Sequence, residues 1–181
     1  CIDVDSSGKV YLLDYSNSQG GLLHVFEEAA AAGPPSGTVS TTGITLNAND
    51  GGDCSTVGTW DSSNNTCTLT ANISMTSNGI GIYIPSATGI TLDGAGHTIT
   101  GIAVQSPDSC CGIDHDGVRI TGSSSNITVK NLTITNFSKG INSSHTNGLT
   151  ITGVTITSGG GYSIYLYGTD GLKFESNTIG S

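Results

Sequence analysis

Along its second half the chain alternates apolar residues with threonine in short bursts that return at nearly constant intervals. ITVKNLTITN (127–136), LTITGVTITS (149–158) and LKFESNTIGS (172–181) align without a gap, 22 and 23 residues apart. ITLDGAGHTITG (90–101) joins them when two extra residues sit in its turn. A period of two puts Ile, Leu and Val on one face and Thr on the other, which predicts strands with one side in a core and one in water. A further run precedes each unit: GIYI (81–84), GVRI (117–120), GINS (140–143) and SIYL (163–166). The dipeptides TG, SN, NG and DG mark the corners ahead of the four units. Each turn of about 22 residues therefore carries three short strands.

Such a unit cannot bury its apolar face alone, but stacked in parallel on its neighbours, about 4.8 Å apart, it makes a continuous core. The fold class expected is all-β, a parallel β-helix of about 22-residue coils. Ile127, Val129, Leu132, Ile134, Leu149, Ile151, Val154, Ile156, Leu172, Phe174 and Ile179 are the core positions the pattern selects. GITLNAND (43–50) and CTLTANISM (67–75) supply one or two earlier coils. HVFEEAAAAG (24–33), ended by Gly33, Pro34 and Pro35, predicts a short helix inside a capping segment, residues 1–43, with the solenoid occupying 44–181.

Charge narrows the partners. Five Lys and Arg against fourteen acids give a net charge of −9, and Arg119 is the single arginine. Nucleic acid is not expected, because phosphate binding needs clustered cations. No apolar run reaches the eighteen residues of a membrane-spanning helix. Cys1 opens the sequence without a basic, apolar leader, so the expectation is an exported protein, extracellular or on the cell surface, whose signal has been removed.

Cys54 and Cys67 bracket STVGTWDSSNNT, two β-prone runs around an SSNN turn, which favours a disulfide closing a hairpin and an oxidising compartment. Cys1, Cys110 and Cys111 remain for further or intersubunit bridges. Sequons stand at Asn64, Asn72, Asn126, Asn131, Asn136 and Asn142. In so Ser- and Thr-rich a chain they permit glycosylation without showing it.

GITLDGAGHTITG, NITVKNLTITNFSKGI and NGLTITGVTIT resemble the right-handed parallel β-helix repeats of NosD-like and pectate-lyase-like proteins, and TWDSSNNTCTLT is similar to the lead-in of their secreted or surface members. The resemblance covers roughly residues 54–181 and implies a right-handed solenoid. Its implications for function are broad, spanning lyases, hydrolases, copper-associated proteins, adhesins and passive surface proteins. Lyases of this group use calcium-binding carboxylates beside a basic residue. The insertion 101–117 holds Asp108, Asp114, His115 and Asp116 beside Arg119, and calcium on Asp108, Asp114 and Asp116 is the one cofactor the sequence could accommodate. His24, His97, His115 and His145 fall in separate coils or corners, which argues against copper.

Two outward columns and the last coil remain. Tyr83, Arg119, Asn142 and Tyr165 rise through successive coils, with Tyr167 beside them, a ladder suited to stacking on sugar rings and bonding their hydroxyls. Thr98, Thr133, Thr155 and Thr178, with Thr100, Thr135 and Thr157, resemble the Thr-x-Thr array of ice-binding β-helices. The last coil, with Phe174 and Ile179 at its open core, offers an edge for head-to-tail self-association. The leading expectation is a structural surface protein that assembles through that end and carries no catalysis. A carbohydrate-active β-helix binding or cleaving an acidic polysaccharide is the alternative, and ice binding ranks third.

Overall fold

The computed structural model describes residues 2–4, 10–14, 22–26, 37–102, 115–157 and 161–180. The chain divides into two compact units, Cys1–Gly33 and Pro34–Ser181. In the first, β1 (Ile2–Val4), β2 (Val10–Asp14) and β3 (Leu22–Phe26) form an antiparallel sheet in the order β1-β2-β3. His24, Val25 and Phe26 thus lie in a strand where the sequence predicts the start of a helix; residues 27–33 of that prediction lie outside the described residues. LLHVF is rich in residues that suit a pleated surface, and VYLLD is at hand to pair with it. Local helix propensity in EEAAAA does not reach back into a run with a strand partner.

The second unit is the solenoid. After β4 (Thr38–Thr41), β5 (Ile44–Thr45) and the one-turn helix α1 (Cys54–Val57), β6 (Gly58–Asp61) and β7 (Thr66–Leu69) form an antiparallel hairpin. The coils then repeat as β8 (Asn72–Met75), β9 (Ile82–Pro85), β10 (Thr91–Asp93), β11 (Thr98–Thr100), β12 (Asp116–Thr121), β13 (Ser125–Lys130) and β14 (Thr133–Thr135). They continue through β15 (Lys139–Ser144), β16 (Asn147–Thr152), β17 (Thr155–Thr157), β18 (Tyr162–Tyr167), β19 (Lys173–Glu175) and β20 (Thr178–Gly180). Three sheets result, in the orders β19-β16-β13-β10-β7-β6, β20-β17-β14-β11-β8-β4 and β18-β15-β12-β9-β5. Apart from the β6–β7 hairpin, their neighbours pair in parallel. Thr38–Thr41, placed by the sequence in the capping segment, pairs with β8 inside the solenoid unit.

Register turns the period of two into ladders. In the second sheet Ile73, Ile99, Ile134, Ile156 and Ile179 stack one above another. In the first, Cys67, Leu92, Val129, Ile151 and Phe174 do the same. The expected core positions from Ile127 to Ile156 are 0 to 1% exposed. Leu172, Phe174 and Ile179 point the same way but are 43 to 45% exposed, because the last described coil has a neighbour on one side only.

Gly117 and Gly140 show how tightly the layers fit. A Cβ on either would lie 2.3 Å from Cγ2 of Ile134 or Ile156, so the isoleucine occupies the space that a side chain on the third strand would need. Corners at Asn126, Asn131 and Asn136 adopt φ of 53, 51 and 61°, a left-handed turn that asparagine tolerates better than branched residues.

Candidate functional site

Cys54 and Cys67 are joined by a disulfide and are fully buried. Instead of the expected extended run, Cys54 begins α1, whose position is fixed by Asp53 Oδ2 accepting the Thr45 amide at 2.9 Å. The SSNN turn is held by Asp61, which accepts from Ser63 and Asn64, and these bonds lower its carboxyl pKa to about 2.

The outer face of the third sheet carries a shallow groove of about 360 Å³, lined by Arg119, Thr121, Lys139, Asn142, Ser144, Tyr165 and Tyr167. Strand register builds it: Tyr83, Arg119, Asn142 and Tyr165 stand in one column, Asp116, Lys139 and Tyr162 in another, and Ser144 pairs with Tyr167. Val118 and Ile120 face the core, as would a Cβ on Gly117, so the alternation slips by one there. That slip brings Asp116 to the side of Arg119.

Asp116 is fully buried beneath the groove. Its Oδ2 accepts from Arg119 Nε at 2.5 Å and from Asn142 Nδ2 at 2.7 Å, and Lys139 Nζ lies 3.7 Å from Oδ1. The lysine also sits over the Tyr165 ring, 5.9 Å from its centroid. Tyr162 packs against Tyr165, and His145 meets Tyr167 edge-on at 5.2 Å. Behind Asp116, His115 is buried against Phe137, with Nδ1 accepting the Ser138 amide at 3.3 Å. Burial lowers its pKa, and the neighbouring Asp116 offsets part of that shift.

Four of the five residues expected to bind sugar therefore line one groove. Tyr83 shares their column without lining it; its hydroxyl bonds Thr121 at 2.9 Å. Lys139, Thr121 and Ser144 were missed. Extending the period of two by one step from Arg119 and Asn142 reaches Thr121 and Ser144, and Lys139 lies one residue before GINS.

For calcium, Asp116 is engaged by Arg119, Lys139 and Asn142, so its carboxylate already faces two cations; Asp108 and Asp114 lie outside the described residues. Cys1, Cys110 and Cys111 also lie outside them. Of the sequons, Asn64, Asn126, Asn131 and Asn136 are exposed, Asn72 accepts the Thr98 amide, and Asn142 is held by Asp116. Thr98, Thr133, Thr155 and Thr178 stand in register on the second sheet, as do Thr100, Thr135 and Thr157.

The right handed beta helix region family matches residues 55–181. The chain belongs to the right-handed β-helix family. That membership fixes the hand of the solenoid and agrees with the resemblance in the coil sequences. No curated protein and no solved structure matches the chain.

Proposed function

We propose that this right-handed β-helix is an extracytoplasmic carbohydrate-binding protein whose third sheet holds an acidic polysaccharide. One observation carries the reading: two of the chain's five cationic side chains, Arg119 and Lys139, share a groove with Tyr165 and Tyr167 on a chain of net charge −9. Tyrosine rings offer flat faces to the C–H faces of sugars, hydroxyls of Thr121 and Ser144 bond their oxygens, and the cations meet a carboxylate. The Cys54–Cys67 bridge supports export to an oxidising compartment. Titration calorimetry with an oligogalacturonate and a neutral oligosaccharide of equal length tests this. Saturable binding of the acidic ligand, weakened about tenfold by Tyr165→Ala or Lys139→Met, is expected on the basis of about 1.4 kcal/mol per contact. Equal binding of both ligands, or of neither, overturns it.

A second reading, self-association into a fibre or surface layer, is favoured by the exposure of Leu166, Leu172, Phe174 and Ile179 on the coil of β18, β19 and β20. A further coil, from this chain's own continuation or from another copy, would cover them. Sedimentation of the purified protein that changes with concentration and is abolished by Phe174→Asp supports assembly; a single species in both proteins sinks it.

A further inference from the structure

We infer that Asp116 is the positioning residue of this groove and sets its selectivity among anionic glycans, an inference that rests on the carbohydrate reading. A carboxylate with no exposed surface is costly to bury unless it is paired, and among the described residues the partners of this one line the groove. Its Oδ2 holds Arg119 through Nε and Asn142 through Nδ2, and its Oδ1 faces Lys139. Three side chains from two adjacent strands are thereby fixed at one point, and two of them stand in the column that carries Tyr165.

The charge of Asp116 also bears on what such a groove selects. It offsets one of the positive charges of Arg119 and Lys139. A densely sulfated chain carries more negative charge per sugar than a polyuronate and meets a protein already at −9. Asp116 therefore acts in two ways: it orders the cations, which favours a uronate, and it lowers the field that would attract a sulfated polymer.

Asp116→Asn separates these effects from mere support of the fold. With an oligogalacturonate, affinity should fall about tenfold as Arg119 and Lys139 lose their common anchor. With dextran sulfate, affinity should rise, and its dependence on salt should steepen by about one counterion, since one negative charge has been removed. By NMR the Arg119 Nε–H proton should exchange slowly in the wild type and rapidly in the variant.

A parallel loss for both polymers at an unchanged salt slope would mean a structural role only and overturns the inference. So does an Arg119 Nε–H that exchanges no faster. Should Asp116→Asn not fold, Asp116→Asn combined with Lys139→Met keeps the net charge of the groove. That pair should show a wild-type salt slope and bind the oligogalacturonate more weakly than Lys139→Met alone, and affinity equal to that of Lys139→Met overturns the role equally. A wild type that binds neither polymer removes the carbohydrate reading itself. A wild type that binds the oligogalacturonate and is matched by the variant removes only the role of Asp116.

Discussion

Ile134 is the position where the solenoid's stability can be tested most directly. It is 1% exposed, stacked in register between Ile99 and Ile156, and its Cγ2 fills the space opposite Gly117. Ile134→Ala removes three buried carbons, worth about 2.4 kcal/mol at roughly 0.8 kcal/mol each. The hydrogen-bonded layers above and below cannot close on the gap, and a residual cavity of roughly 40 Å³ adds about 1 kcal/mol. The expected loss is about 3 to 4 kcal/mol. Ile179 occupies the equivalent rung but is 45% exposed, so Ile179→Ala should cost only about 1 kcal/mol. Thr133, next to Ile134 and half-buried on the outer face, should cost no more than about 0.5 kcal/mol as alanine. Urea denaturation followed by circular dichroism reads all three. Equal losses for Ile134→Ala and Thr133→Ala, or for Ile134→Ala and Ile179→Ala, would refute the ladder as the seat of stability.

Reducing Cys54–Cys67 opens a short loop and should lower stability by about 3 kcal/mol, measured as the shift in urea midpoint with and without reductant. His97 and His115 are both held below the ordinary imidazole range by burial, so each is neutral when folded and gains a proton more readily when unfolded. The stability they confer is complete above about pH 6.5 and declines as pH falls below it toward their folded values. Melting temperature should drop between pH 7.5 and 5.5, less so in His115→Gln, and a rise over that interval would contradict the assignment. Asp61 should titrate near 2 by carbon-detected NMR, and Ser63→Ala should move it upward because the serine side chain is the largest contributor.

The solenoid was legible because its information is local and repeated. Ile, Leu and Val at period two, with Asn and Gly at the corners, state the same instruction in every coil, so the columns through Arg119 and Thr133 could be written down with their register. Strand β3 was not legible. Its residues carry mixed propensity, and what decides them is pairing with Val10–Asp14, a contact that no local pattern announces. Helix α1 is a single turn placed by Asp53 and the buried Cys54, both acting across the chain. Part of the groove could be read, since Arg119, Asn142 and Tyr165 are equivalent positions in successive coils. Asp116 escaped because the alternation slips at Gly117, and the carboxylate read as a loop acid is a buried member of the sheet face.

Strand β6 gives the solenoid a direction. In its sheet it lies beyond β7 and runs opposite to it, whereas the strands from β7 to β19 share one polarity. A β edge accepts a newcomer only if the newcomer's donors and acceptors fall in phase with its own, and antiparallel and parallel ladders differ in phase. The β19 edge presents the parallel phase to whatever follows it; the β6 edge presents a reversed strand. A coil added beyond β18, β19 and β20 therefore meets the same pairing rule in all three sheets. One added at the opposite end meets the parallel rule at β4 and β5 but a reversed strand at β6. The two ends of the stack are thus unlike as templates, uniform at one and mixed at the other.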